Sequence, residues 1–392
     1  MKRRLLLLLS LLAVAAAGLL WAAHDFVSAY RGYAGSQLFV VEPGEHAARV
    51  ARRLVSQGVL KRRLPFLLGY CIGRPRHALR AGEYMFDRPL RPFDVYRKLV
   101  QGDVYLHPVI IPEGSDCFDI ARLLNQKLGI DPALFLRVAQ QAGAIRDLDP
   151  RAPSLEGYLF PDTYRFARGV SAATAALTML ARFRHIVATR LGNQRPPLPG
   201  GWHAVITLAS LVEKETPETV ERPIIAGVFA RRLEKGMPLQ CDPTVVYAAR
   251  LDHRPAGPIA ESDLQFDSLY NTYRYTGLPP GPIANPGLAS IRAALLPAAG
   301  EALYFVANNH GGHVFARTLA EHQHNVARYR RELAALRGNQ AGAASGKPKA
   351  AAPVAPAAKA EGQREKGGAK ATRRAAQAQK RGKQTQQKGR HP

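Results

Sequence analysis

The chain has 392 residues, 46% of them hydrophobic, with 55 Lys and Arg against 30 Asp and Glu, a formal net charge of +25. This apolar content excludes a wholly disordered chain, the length allows about two domains, and three widely spaced cysteines, Cys71, Cys117 and Cys241, exclude a disulfide framework and show no metal-ligand spacing. The charge would point to nucleic acid if it were evenly spread, but residues 338–392 carry 8 Lys and 5 Arg against 2 Glu, so nearly half of the excess sits in one tail.

Lys2, Arg3 and Arg4 precede Leu5–Ala23, an uncharged run whose single polar interruption is Ser10. It is long enough to span a bilayer as a helix. The positive-inside rule keeps residues 1–4 in the cytoplasm, Trp21 falls near the far interface, and the body of the protein is expected outside the cytoplasm on a single pass through the inner membrane. The alternative is a cleaved signal peptide, for which Ala15, Ala16 and Ala17 offer small residues. The continuation of the run through Leu19, Leu20 and Trp21 favours the anchor.

From Gln37 a short apolar strand, a Pro-Gly turn and an amphipathic helix with Ala47, Val50, Ala51, Leu54 and Val55 on one side form a β-turn-α unit. Residues 64–70 read as a second helix, 81–86 as a strand and 93–100 as a helix. A strand at 105–112, a Glu113-Gly114 turn and a helix at 118–128 repeat the first unit. Two such units resemble LysM-type carbohydrate-binding modules, which sets one domain at 36–128. The segment LEGYLFPDTY at 155–164 packs three aromatics beside two carboxylates, an arrangement that fits either a sugar grip through Glu156, Tyr158 and Asp162 or a simple core loop. A long helix is expected at 171–191, a Pro/Gly-rich linker at 193–201, and amphipathic helices at 220–235 and 321–336.

The stretch AVITLASLVEKETP at 204–217 places two carboxylates at the end of an apolar helix. At about 100° per residue, Glu215 falls in the stripe of Ala204, Val205, Leu208, Leu211 and Val212, and Glu213 on the far side. A carboxyl held against an apolar face is desolvated, so its pKa rises and it suits a general acid near neutral pH. Pro217 disfavours helical dihedrals at Thr216, which puts Glu215 on the last turn. Glu215 is the better acid and Glu213 the fallback. Downstream, GMPLQCDPT, YNTY and GLPPGPIANPG form Pro/Gly-rich loops typical of shaped clefts, in which Gln240, Asp242, Tyr270, Asn271, Thr272 and Tyr273 offer polar and aromatic contacts to a sugar. Residues 303–307 read as a buried strand leading to His310 and His313, which have no accompanying metal-binding frame; His322 and His324 read as solvated. The three cysteines are expected to be buried thiols, and the Lys/Ala/Gln-rich tail at 338–392 to be disordered.

LEGYLFPDTY, ASLVEKET, LQCDPTVVY, YNTYRYTGLPPGPIANPG and LYFVANNHGGHVF, in this order, resemble the YceG-like family of endolytic murein transglycosylases over about residues 41–329. The resemblance implies an N-terminal anchor, a LysM-like module before the catalytic part at 129–337, and an α+β fold. It implies no cofactor or metal. Its proposed catalytic acid, the second Glu of VEKET, maps onto Glu215, and His313 falls in the last motif. The implied reaction cuts peptidoglycan glycan strands without water, leaving 1,6-anhydro-N-acetylmuramic acid ends. Implied partners are peptidoglycan synthases of the elongation machinery; nucleic acid, the competing reading of the basic tail, is argued against by the N-terminal anchor. A lysozyme-like hydrolase would need a second carboxylate, for which Glu156, Asp162 and Asp242 stand as candidates, and a non-catalytic wall-binding scaffold would need none.

Overall fold

A computed structural model describes residues 12–14, 16, 23–73, 78–192, 194, 196–254, 257 and 259–345. The expected span at 5–23 lies mostly outside the described residues, and the tail beyond Ser345 wholly so. Among the described residues no helix is long and apolar enough to cross a membrane.

The first strand, β1 (Gln37–Val41), pairs antiparallel with β2 (Gly82–Phe86), Phe39 facing Tyr84. Its alternation turns Phe39 and Val41 inward and leaves Leu38 exposed. Helices α1 (Ala47–Ser56) and α2 (Arg63–Gly73) connect the strands, and α3 (Pro92–Gln101) follows. In α1, Ala47, Val50, Ala51 and Leu54 are buried at helical spacing. Pro92 opens α3 with a preset φ, and Gly102, at φ +70, closes it. These elements enclose a smaller core built on Phe39, Leu54, Phe66, Tyr84, Phe86, Val95 and Leu99.

Strand β3 (Leu106–Ile110) does not join that sheet. It pairs antiparallel with β4 (Thr163–Ala167), Val109 facing Tyr164. The following α4 (Cys117–Leu128) starts where the Asp116 carboxylate accepts the Asp119 N–H at 2.8 Å, and its buried residues Cys117, Ile120, Ala121 and Leu124 belong to a second, larger core. The second β-turn-α unit therefore packs with the C-terminal part of the chain, because its strand finds its partner at 163–167. Glu83 on β2 bridges the two parts, its carboxylate held by His107 Nε2 at 2.5 Å and Arg168 Nη1 at 2.5 Å. Burial would raise the Glu83 pKa, but the bonds from Arg168 and His107 hold it below the usual value.

The larger core adds α5 (Pro132–Ala139), α6 (Ala172–Ile186) with a π-helical turn at Val187–Leu191, α7 (Gly201–Glu215), α8 (Arg222–Glu234), α9 (Asp242–Leu251) and α10 (Leu288–Leu295). An antiparallel hairpin of β5 (Tyr304–Ala307) and β6 (His313–Ala316) precedes α11 (Leu319–Ser345). The described chain is thus a mixed α+β protein with small two-stranded sheets. Several local expectations are corrected. Cys71 is exposed, whereas Cys117 and Cys241 are buried thiols. The β5 strand is half-buried, all four of its residues being partly exposed, and its Phe305 both packs against the larger core and lines a cleft. Helix α11 continues to Ser345, past the start of the expected tail at 338.

Helix α7 lies at the centre, packed against α8, α9 and α10. All nine residues from Ala204 to Val212 are buried, so it has no polar face and no single apolar stripe. Ser210 uses its hydroxyl within this packing, donating to the Thr207 carbonyl at 2.7 Å and accepting the Ile283 N–H at 3.0 Å. The loops around α7 are tied by a buried node. Asn285 Nδ2 donates to Glu156 Oε1 at 2.8 Å and to the Ser115 carbonyl at 2.9 Å, while its Oδ1 accepts the Leu159 N–H at 2.8 Å. Glu156 Oε2 accepts the Cys117 N–H at 2.9 Å and the Tyr247 hydroxyl at 3.2 Å. Beside it Gly157 stands at φ +90, where a Cβ would meet Pro282 Cγ at 2.5 Å, so this position requires glycine. Removing the amide in Asn285→Ala strands the buried partners of three loops and is expected to cost roughly 3–5 kcal/mol, measurable as a lowered midpoint in urea unfolding.

Candidate active site

Helix α7 ends as Pro217 requires. Thr216 is extended at φ −143 and ψ 134, and Glu213 and Glu215 occupy the last helical turn. Their environments divide them more sharply than helix phase did, since both sides of α7 are buried. Glu213 is enclosed by partners: Arg222 Nη2 donates to its Oε1 at 3.0 Å and the Gly287 N–H to its Oε2 at 2.9 Å. A Cβ at Gly287 would require the half-exposed Glu113 carboxylate to swing aside. Glu213 is therefore a paired carboxylate that fixes the end of α7 against the GLPPGPIANPG loop.

Glu215 has no such ion pair among the described residues and opens into a cleft of about 270 Å³, lined also by Arg232, Leu239, Gln240, Asp242, Tyr273, Phe305 and His322. Burial pushes its pKa up to about 7. A hydrogen bond from the Cys241 thiol opposes the rise, the nearby Asp242 charge adds to it, and the His313 and Arg232 charges oppose it. A carboxyl poised near neutrality at the wall of a cleft can both give and take back a proton.

The rest of the cleft is held by buried hydrogen bonds. Arg232, 6% exposed, donates from Nε to the Leu303 carbonyl at 2.7 Å and from Nη1 to the Leu239 carbonyl at 2.8 Å, with its guanidinium 5.1 Å from the Tyr304 ring centroid. It thereby ties α8 to β5 and to the LQCDP turn, where Gln240 sits at φ +51. Asp242 is the first residue of α9 and accepts the Tyr273 hydroxyl at 2.5 Å. Burial and then this bond raise the Tyr273 pKa, so its phenol stays protonated. His322 stacks on Tyr304 with ring centroids 5.3 Å apart, and burial, followed by the Arg232 charge, lowers its pKa. The solvated role expected for His322 is corrected, because α11 lays it against the cleft.

Of the residues singled out in the sequence, Glu215, Gln240, Asp242 and Tyr273 meet in this cleft. The others lie elsewhere. Glu156 and Tyr158 are inside the protein, with Tyr158 donating its hydroxyl to Asp149, and burial followed by the Asp116 charge raises the Glu156 pKa to about 8. Asp162 pairs with Arg182 Nε at 2.6 Å. LEGYLFPDTY is thus a core loop rather than a sugar grip. Asn271 is fully buried and staples its own loop through the Leu264 and Phe266 carbonyls, and Thr272 accepts the Cys241 N–H at 3.0 Å. Tyr270 packs its ring on Tyr247.

His313 is engaged by Glu221, which accepts its backbone N–H at 2.8 Å and faces its Nδ1 at 2.7 Å. Thr216, next to Glu215, donates its hydroxyl to Glu221 at 3.3 Å, so this pair braces the end of α7. Arg232, Phe305 and His322 were missed. The only sequence signal was the phase of Arg232, three and four residues after the buried Phe229 and Val228.

Folding raises the Glu215 pKa above its ordinary value of 4.5, so the unfolded chain releases this proton first as pH rises. The resulting stability is full below about pH 4.5 and is lost as pH rises through about 7. Glu215→Gln removes that loss and is expected to be more stable than wild type by roughly 1–3 kcal/mol at pH 8, with the gap closing near pH 4. Urea unfolding at the two pH values checks this; a gap independent of pH would contradict the assignment.

Comparison with known proteins places these residues in context. A model of the YceG-like family matches residues 39–328. An endolytic murein transglycosylase of Bacillus subtilis (strain 168) is 31% identical over 304 residues, covering 74% of this chain and 83% of that protein. The endolytic murein transglycosylase of Streptococcus pneumoniae (strain D39) is 29% identical over 320 residues, covering 74% of this chain and 57% of that protein. The crystal structure of a putative YceG-like protein from Listeria monocytogenes aligns with a TM-score of 0.48 at 30% identity, covering 74% of this chain and 98% of that one.

Proposed function

The chain belongs to the YceG-like family, and from that premise we propose that it is an endolytic murein transglycosylase, a lyase, with Glu215 as its single catalytic acid and base. The observation that carries this reading is the division of labour on one helical turn. Glu213 is neutralised by Arg222, while Glu215 is desolvated, free of an ion pair among the described residues, and open to the cleft.

In this reaction the protonated Glu215 gives its proton to the glycosidic oxygen as the bond from the N-acetylmuramic acid C1 breaks. Positive charge develops at C1, and the ionised carboxylate now beside it stabilises that charge. The substrate's own 6-hydroxyl attacks C1, and its proton returns to Glu215. The 1,6-anhydro ring closes, no water is consumed, and the enzyme is restored. Because the nucleophile belongs to the substrate, one carboxylate is enough. Gln240, Asp242 and Tyr273 are the proposed sugar contacts, and Asp242 has a further role in keeping Glu215 protonated through its charge.

We place the enzyme on the inner membrane, held by residues 5–23 with the N-terminus cytoplasmic and the cleft in the periplasm. The smaller core is the proposed LysM-like wall-binding part, supported by its two-helix connection between antiparallel strands. The proposed role is to end the growth of nascent glycan strands beside a peptidoglycan synthase. A lysozyme-like hydrolase remains the second reading because Asp242 lines the same cleft as Glu215.

Mass spectrometry of purified glycan strands treated with the protein tests both. Internal fragments with anhydro ends are expected from wild type, and Glu215→Gln is expected to lose activity by about 10²–10⁴-fold. Reducing ends would mean a hydrolase. Asp242→Asn is expected to lower the Glu215 pKa, moving the alkaline limb of the pH–rate profile toward acid, because activity needs the protonated carboxyl and falls as pH rises past its pKa.

A further inference from the structure

Helix α2 leaves an apolar surface that catalysis does not use. Leu64, Leu68 and Ile72, spaced four residues apart along it, are 63%, 39% and 85% exposed, and Phe93 of α3, adjacent to Gly69 of α2, is 58% exposed. At about 100° per residue, positions 64, 68, 71 and 72 share one arc of about 100°, so the exposed Cys71 belongs to the same face. The opposite side is anchored by the fully buried Phe66. Lys61, Arg62 and Arg63 lie exposed at the start of the helix. An exposed apolar strip with cations at one end is a surface suited to a helix lying in a lipid headgroup region.

The second observation is where the N-terminal apolar run delivers the chain. That run ends at Ala23, and Asp25, two residues later, is held by Lys61 Nζ at 3.3 Å and Arg62 Nε at 2.9 Å. Tyr30 and Leu90 exchange backbone hydrogen bonds at 3.0 and 3.3 Å, and the Gly32 N–H donates to the Gly58 carbonyl at 2.8 Å. The chain after the run is therefore stitched directly to the smaller core, with no free linker between. A run that spans a bilayer and ends there puts the start of α2 at the bilayer surface. Asp25 offsets one of the three charges at 61–63, leaving a net positive rim toward anionic headgroups.

We propose that α2 lies in the headgroup region of the membrane leaflet facing the catalytic domain, with Leu64, Leu68, Ile72 and Phe93 immersed. The proposal rests on the reading of residues 5–23 as a membrane anchor. It gives the protein a second membrane contact that sets the orientation of the smaller core.

The test uses the full chain, spin-labelled at its native Cys71, since Cys117 and Cys241 are buried, and reconstituted into vesicles of phosphatidylglycerol and phosphatidylethanolamine. The expected result is a label that collides with dissolved oxygen and is shielded from a water-soluble nickel chelate, in protein that stays on the vesicles through an alkaline carbonate wash. The double variant Leu64→Glu/Ile72→Glu is expected to reverse the two accessibilities without releasing the protein. A wild-type label open to the chelate in protein that survives the wash would overturn the proposal and leave the anchor standing. Protein lost in the wash would overturn the anchor and the proposal with it. Dipolar broadening between labels would assign the strip to a second copy of this chain and also overturn the proposal.

Discussion

A helix with no face left for water is the constraint on which this structure depends. From Ala204 to Val212 every side chain of α7 is covered, so α8, α9, α10 and the connecting loops must all close around it. Its two ends, residues 201–203 and the last turn, are where it leaves the core. A carboxyl on that last turn is either satisfied by a partner or held uncomfortably near an apolar wall. Glu213 takes the first course with Arg222 and the Gly287 N–H. Glu215 takes the second, and its raised pKa is the chemical result.

The buried polar groups around α7 stitch loops together. Glu156 and Asn285 join loops far apart in sequence, and Thr272 with Thr244 and the Cys241 N–H joins the LQCDP turn to the YNTY loop. Arg232 does the same for α8, β5 and the floor of the cleft. Each satisfied group in a low-dielectric interior makes its loop rigid, and each would be costly if left alone. This explains why so many motif residues lie out of reach of a substrate. They position a small number of cleft side chains, Glu215 among them. The Glu221–His313 pair reaches Thr216 and extends that bracing to the end of α7 itself.

The smaller core is tied to the larger one through Glu83, whose carboxylate is shared by His107 and Arg168. The same core is stitched to the chain emerging from the N-terminal apolar run. The larger core and the chain from residue 30 onward are therefore connected through the smaller core by short, bonded paths.

Much of the secondary structure was legible in the sequence, because α1, α3 and α4 carry clean helical periodicity and turn residues mark their ends. The placing of two carboxylates was legible too: an apolar helix ending in E-x-E-T-P puts them at a helix terminus whatever packs around it. Tertiary structure decided which carboxylate is ion-paired and which is not, because that depends on Arg222, Gly287, Cys241 and Asp242 approaching from other elements. It also decided that Glu156, Tyr158 and Asn271 face inward and that Arg232, Phe305 and His322 face the cleft. Residue type and local period say whether a side chain can bond or pack. Only the approach of distant segments says to what, since a buried Glu156 and a cleft-facing Glu215 differ in their neighbours and not in their chemistry.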